Sequence, residues 1–226
     1  TAFYKAVVTN GVCAAATITA TVNVDLATVP GTATLSGNAT ICSSTTAPVI
    51  NLTGNTGLIQ WQSSLTSGGT FTNITGTTAP LVDNITTKYY RALVKSGVCS
   101  ALPSNEILVT VNLASSAGTI TPSTQTICYS GTPAAISLTG SVGTIQWQTS
   151  STVGGTYTNM VGLTASTLPS ASIDNLNTAF YKAVVTNGVC AAATITATVN
   201  VDLATVTGTA AIASGTATIC ASTTAP

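Results

Sequence analysis

The sequence lacks the side chains on which most enzymes depend. Its 226 residues include no histidine, and five Lys or Arg residues balance five Asp or Glu residues, for a net charge of zero. Without histidine or paired acids, there is no general base for a serine or cysteine nucleophile and no recognisable zinc or calcium ligand set. Balanced charge leaves no basic stripe for phosphate. The composition predicts a protein that is not an enzyme and has no cofactor, metal ion or nucleic-acid partner.

Long apolar runs are also missing. The sequence contains no signal peptide and no stretch of the about 20 apolar residues that a transmembrane helix needs. No segment shows helical periodicity either. Any association with a membrane is therefore expected only through regions outside this sequence.

What the sequence does contain is a repeat. Residues 1–29 are identical to residues 178–206. The spacing from cysteine to tryptophan is 19 in both copies, whereas the spacing from cysteine to cysteine is 57 in one and 62 in the other. Two slightly different units therefore alternate, as in a tandem array. The landmarks are Cys42, Trp61 and Cys99, which recur as Cys128, Trp147 and Cys190.

The repeat predicts the domain organisation of the chain. Both ends fall inside a unit, so we interpret the sequence as a segment of a longer array. Its parts are the C-terminal part of a preceding repeat (1–29), two complete repeats (30–113 and 114–205) and the N-terminal part of a following repeat (206–226).

Alternating residue types predict short strands in each complete repeat. Residues 58–63 place Ile59 and Trp61 on one face, and residues 88–95 direct Tyr90 inward and the charged side chains outward. Asn187-Gly188 is a strong hairpin signal, because both residues tolerate positive φ. About seven such strands with one buried tryptophan predict an all-β fold, a tandem array of immunoglobulin-like β-sandwich domains. The predicted core residues are Trp61, Trp147, Tyr90 and Tyr181.

The six cysteines allow two pairing schemes. Bridges across the junctions join Cys13–Cys42, Cys99–Cys128 and Cys190–Cys220, and bridges within a repeat join Cys42–Cys99 and Cys128–Cys190. We favour the bridges within a repeat, because the strand after the hairpin runs about 35–40 Å from its tip at about 3.3 Å per residue. Cys13 and Cys220 then bond to partners outside the sequence. Disulfides indicate an oxidising compartment, hence an extracellular location at the cell surface.

Several strings resemble the tandem repeats of very large cell-surface adhesins of Bacteroidota, the SprB type that moves along the cell surface during gliding. The resemblance implies immunoglobulin-like repeats and export by the type IX secretion system. The strings that carry it include Ala39-Thr40-Ile41-Cys42, Ile59-Gln60-Trp61-Gln62-Ser63-Ser64, Tyr89-Tyr90-Arg91-Ala92 and Gly97-Val98-Cys99-Ser100.

These observations predict a structural role. We expect a stalk or spacer segment of a long repetitive adhesin filament, for surface attachment or gliding motility. Its partners are neighbouring repeats of the same chain, with surface polysaccharide or other adhesin chains as further candidates. The alternative is a multivalent carbohydrate-binding array, in which many weak sites supply avidity; an exposed aromatic cluster in a groove distinguishes that alternative from a spacer.

Overall fold

The structure is a computed structural model that describes residues 1–74, 79–80 and 82–211. These residues form β-strands and one short 3₁₀ turn at Ser170–Ser172, and no α-helix occurs among them. The predicted all-β class is therefore confirmed. The predicted partial repeat at 206–226 lies mostly outside the described residues, and so does Cys220.

The chain divides into two compact units. The first unit contains Thr1–Ala117 together with two later segments, Gly140–Thr144 and Val185–Ala193. The second unit contains Gly118–Thr139, Ile145–Val184 and the described residues from Thr194 onward. The hairpin tip that carries Cys190 thus belongs to the first compact unit.

The first compact unit begins with an antiparallel hairpin, in which Ala2 lies opposite Val22. The next eight strands form a two-stranded sheet, β3-β5, and a six-stranded sheet in the order β4-β10-β8-β6-β7, in which β9 pairs with β8. The strands are β1 (Ala2–Val8), β2 (Ala16–Val22), β3 (Thr32–Ser36), β4 (Thr40–Cys42), β5 (Val49–Thr53), β6 (Leu58–Ser64), β7 (Thr72–Asn73), β8 (Lys88–Lys95), β9 (Leu102–Pro103) and β10 (Ile107–Asn112).

The two sheets share one hydrophobic core. Trp61 of β6 is fully buried, and Ile50 of β5 in the opposite sheet is buried with it. Along β8, buried residues alternate with partly exposed ones, because successive side chains of a strand point to opposite faces. The buried members of this core are Ala33, Ile41, Ile50, Trp61, Val82, Tyr90, Ala92, Val94 and Val109.

The later strands repeat this arrangement. One sheet has the order β11-β13-β16, and the other has the order β12-β18-β17-β14-β15. Trp147 and Tyr181 are as deeply buried as their counterparts. The strands are β11 (Thr119–Thr121), β12 (Thr124–Cys128), β13 (Ile136–Thr139), β14 (Thr144–Ser150), β15 (Thr158–Asn159), β16 (Thr167–Leu168), β17 (Ala179–Thr186) and β18 (Ala193–Asp202).

In each repeat, one strand pair is parallel. β4 runs parallel to β10, with Thr40 beside Thr110 and Cys42 beside Asn112. β12 runs parallel to β18 in the same way, and its last residue, Cys128, lies beside Asp202. This register determines where the cysteines lie.

Candidate functional site: the hairpin junction

A buried tyrosine fastens a loop to the start of a strand in each repeat. The hydroxyl oxygen of Tyr90 accepts a hydrogen bond from the backbone N–H of Asp83 at 2.8 Å. Tyr181 accepts the same bond from Asp174 at 2.7 Å. Burial raises the pKa of both phenols above the ordinary value. The two tyrosines therefore remain neutral and structural at physiological pH.

Replacing Tyr90 by phenylalanine is expected to destabilise the first repeat by about 1–2 kcal/mol, because the N–H of Asp83 loses its acceptor in a partly buried position. Chemical denaturation followed by circular dichroism measures the loss. Tyr89→Phe is the matched control on the opposite face of β8 and should change stability by less than about 0.5 kcal/mol. Equal effects of the two substitutions would contradict the assigned role of the Tyr90 hydroxyl.

Several acidic side chains of the described residues have structural partners. Asp83 forms an ion pair with Lys88, with 2.6 Å between Oδ2 and Nζ. The hydrogen bond from Lys88 holds the pKa of Asp83 below its ordinary value. Glu106 accepts hydrogen bonds from Ser67 and from the N–H of Gly68. The N–H of Leu176 lowers the pKa of Asp174 in the second repeat.

Replacing Lys88 by methionine is expected to reduce stability at pH 7 by about 0.5–1 kcal/mol, the range of a partly exposed ion pair. The folded-state pKa of Asp83 is lowered, so this stabilisation is present above the unfolded value of about 3.9. It is lost as the pH falls through the folded-state value. The difference in denaturation midpoint between the unchanged protein and the Lys88→Met variant should therefore decrease as the pH is lowered from 7 to 2. Exposed Lys95→Met is the control, and a gap that persists at pH 2 would contradict the assignment.

The structure contains a disulfide bond between Cys42 and Cys190. Their sulfurs are 2.04 Å apart, their Cα atoms are 5.0 Å apart, and 148 positions separate them in the sequence. Both residues belong to the first compact unit, although they come from different sequence repeats. The predicted pairs Cys42–Cys99 and Cys128–Cys190 are therefore wrong, and Cys13, Cys99 and Cys128 are unbonded.

The parallel strand pairs explain this correction. The prediction assumed that the first strand of a repeat and its own hairpin tip lie at the same end of the sandwich. Because β4 runs parallel to β10, Cys42 instead lies beside Asn112, beyond the Lys88 end of β8. The tip with Cys99 follows the other end of β8, about 25 Å away at about 3.3 Å per residue. Cys42 is thus placed to meet the hairpin of the following repeat.

Hydrogen bonds hold that hairpin to the linker after β10. The backbone N–H of Asn187 donates to Ser115 Oγ at 2.9 Å, and its side-chain amide donates to the carbonyl of Leu113 at 2.9 Å. The N–H of Val189 donates to Asn112 Oδ1 at 3.4 Å. The disulfide therefore belongs to a contact between the hairpin and the linker that several hydrogen bonds also stabilise.

The glycine of each hairpin has a specific role. Gly188 has a φ of 53°, and a Cβ at this position would collide with the side-chain amide of Asn112. Gly97 has a φ of 46° and lies in the same way against the carboxylate of Asp25. Only glycine combines this left-handed conformation with so close an approach. Sequence reasoning missed Asp25 and Asn112, although both occur in a shared Val-Asp/Asn-Leu-Ala string at the end of a repeat.

Open depressions lined by hydroxyl groups occur in both repeats. One has a volume of about 410 Å³ and is lined by Ser63, Thr66, Thr70 and neighbours. Its counterpart beside Thr149 and Thr158 has a volume of about 550 Å³. Within the described residues, no three His, Cys, Asp or Glu side chains lie close enough together to hold a metal ion. The outward aromatic residues Tyr89 and Phe180 are only partly exposed.

These features define a class: an all-β domain that occurs in tandem, with a disulfide between neighbouring copies. A profile of the family described as "Domain of unknown function (DUF8696)" matches residues 31–113 and again residues 116–205. The chain belongs to this family.

Two solved structures of bacterial ice-binding adhesins are similar to this chain at low sequence identity. One, described as "Ca2+-stabilized adhesin helps an Antarctic bacterium reach out and bind ice", is 19% identical with a TM-score of 0.36, and the match covers 92% of this chain and 58% of that one. The other, described as "Structural insight into host cell surface retention of a 1.5-MDa bacterial ice-binding adhesin", is 18% identical with a TM-score of 0.30, covering 88% and 74%. No curated protein is significantly similar.

The described residues contain no helix long and apolar enough to cross a membrane.

Proposed function

We propose that this chain is a spacer segment of a long extracellular adhesin, built from immunoglobulin-like repeats. The observation that carries the proposal is the junction: the hairpin of one repeat is bonded to Cys42 of the preceding one and hydrogen-bonded to its last strand and linker. A junction fixed by a covalent bond and several hydrogen bonds restricts bending between neighbours. Such a spacer serves surface attachment or gliding motility.

The tyrosine corner supports the immunoglobulin-like part of this proposal. In immunoglobulin-like sandwiches, a tyrosine near the start of the sixth strand bonds through its hydroxyl to the backbone a few residues upstream. Tyr90 and Tyr181 each bond to a backbone N–H seven residues upstream. Both tyrosines lie near the start of a strand beside the one that carries the buried tryptophan.

The proposal also includes a location and a lack of enzymatic activity. Disulfide bonds persist in oxidising compartments, so the Cys42–Cys190 bridge supports an extracellular, cell-surface location. Asp25, Asp83, Glu106 and Asp174 all accept hydrogen bonds that hold loops or hairpins in place. Acids occupied in this way are poor candidates for general acid–base catalysis.

Small-angle scattering tests the spacer proposal directly. Because residues 1–29 and 178–206 are identical, residues 1–206 can be joined to residues 30–226 without creating a new junction sequence; we call the product the tandem protein. A spacer predicts that the maximum dimension increases by an equal step for each added pair of repeats. An increase that follows only the cube root of chain length would contradict the proposal.

A carbohydrate-binding array is the second candidate, and the paired hydroxyl-lined depressions favour it. A glycan array probed with the full chain tests this function. Specific binding that is lost in a Thr72→Val, Thr158→Val double variant would support it, because each depression then loses one hydroxyl. An absence of binding at high protein concentration would leave the spacer as the function.

A further inference from the structure

We propose that Cys99 and Cys128 are the two halves of a second inter-repeat disulfide, in which Cys128 bonds to the hairpin cysteine of a following repeat of the first type. The bridge would repeat, at the other kind of junction, the bond that Cys42 makes to Cys190. The inference deepens the proposed spacer, because it links every neighbouring pair of repeats and not alternate pairs alone. Its partner is another repeat of this family with a Ser-Gly-Val-Cys hairpin.

Cys128 has the backbone surroundings of Cys42. Each is the last residue of a strand in a parallel pair, Cys42 beside Asn112 and Cys128 beside Asp202. The residue after each cysteine donates its N–H to the carbonyl of that neighbour, at 2.8 Å in both cases. Cys42 is 3% exposed, with the hairpin over it, whereas Cys128 is exposed. Cys128 therefore resembles a bonded cysteine without its partner.

Cys99 has the surroundings of Cys190. Its hairpin donates from the N–H of Ser96 to Thr28 Oγ1 at 3.1 Å and from the N–H of Val98 to Asp25 Oδ2 at 3.0 Å. The Cys99 sulfur lies 3.5 Å from the carbonyl oxygen of Leu26. The Cys190 hairpin makes the equivalent contacts with the linker after β10, and its sulfur lies 3.1 Å from the carbonyl oxygen of Leu113. The contact between hairpin and linker thus occurs twice among the described residues, and the disulfide is present at one of the two.

The exact internal repeat determines which cysteines belong together. Asp25 and Asp202 occupy the same position in the identical runs 1–29 and 178–206. The Cys99 hairpin rests on Asp25, and Cys128 lies beside Asp202. If the hairpin of a following repeat of the first type makes with Asp202 the contact that the Cys99 hairpin makes with Asp25, the sulfur of its cysteine lies next to Cys128. The Cys42–Cys190 bond shows the outcome of this placement where both halves are present.

The reaction is the oxidation of two thiols. Each cysteine loses one proton and one electron, and the S–S bond forms between the two sulfurs. A disulfide oxidant, such as glutathione disulfide, accepts both electrons and both protons and is released as two glutathione thiols. The thiolate is the attacking species, so the exposed Cys128 is suited to react first with the oxidant.

The test uses the tandem protein with Cys99→Ser in its first copy and Cys128→Ser in its second. One cysteine of each kind then remains, and the two flank the new junction. After oxidation with glutathione disulfide, free thiols are alkylated and the purified monomer is digested with trypsin and Glu-C. Because the chain has five Lys or Arg residues and one Glu, Cys99 falls in peptide 96–106 and Cys128 in peptide 107–182.

The expected result is one disulfide-linked species that joins these two peptides, with almost no alkylation at either cysteine. In the matched control, Cys128 of the first copy is also serine, and Cys99 of the second copy should be fully alkylated. Alkylation of both cysteines in the test protein, with Cys42–Cys190 intact, would overturn the inference, as would a bond from Cys128 to any other cysteine. Small-angle scattering from the same sample tests the spacer proposal separately. The spacer proposal fails if the maximum dimension does not increase in equal steps, whatever the cysteines do.

Discussion

Replacing Cys42 and Cys190 together by serine is expected to lower the melting temperature of the full chain by about 10–20 °C. The bridge closes a loop of 148 positions, and the chain-entropy relation gives up to about 5 kcal/mol for a loop of that length. For a protein of this size, each kcal/mol corresponds to about 2–4 °C. Differential scanning calorimetry of the oxidised proteins measures the shift.

The control for this experiment is Cys13→Ser, since Cys13 is exposed and unbonded. Its melting temperature should match that of the unchanged chain. If the Cys42→Ser, Cys190→Ser double variant has the same melting temperature as the unchanged chain, the bond contributes nothing to stability. Peptide mapping that finds Cys42 bonded to Cys99 would show that the pairing itself is incorrect.

Replacing Trp61 by alanine is expected to destabilise the first repeat by about 3–5 kcal/mol, the range for deletion of a fully buried tryptophan. Trp61 is fully buried and shares its core with residues of both sheets. The variant retains Trp147 as its single tryptophan, so fluorescence then reports on the second repeat alone. During denaturation, circular dichroism should therefore show a first transition, that of the destabilised first repeat, which does not appear in tryptophan fluorescence.

Leu58 provides the matched control on the same strand. It is 83% exposed at the start of β6, so Leu58→Ala should change stability by less than about 0.5 kcal/mol. Coincident transitions by both probes in the Trp61→Ala variant would mean that the two repeats unfold as one cooperative unit. That outcome would contradict independent melting of the repeats.

Much of the strand pattern could be predicted from local sequence. Alternation in β6 and β8 is sufficient to direct Trp61 and Tyr90 inward, because a strand with one solvated face must alternate. The all-β class follows from the same pattern and from the absence of helical periodicity. In β17 the residues likewise alternate between buried and partly exposed.

The disulfide could not be predicted because it depends on the direction of one short strand. A strand of three residues, β4, determines whether Cys42 lies near the hairpin of its own repeat or near the next one. Spacing along the chain is the same for a parallel and an antiparallel partner, so neither pairing scheme derived from spacing contained Cys42–Cys190. The recurring Val-Asp/Asn-Leu-Ala string was the available signal that linker residues take part in a contact.

The Cys42–Cys190 bridge also determines which part of the chain carries tension. When the two ends of the chain are pulled apart, the covalent path runs from Cys42 directly to Cys190, so residues 43–189 are bypassed while the disulfide is intact. β10 and β12 both lie in the bypassed segment. Reduction of the bond returns them to the force path, and the parallel ladders β4–β10, with three pairs, and β12–β18, with five, are then loaded in shear.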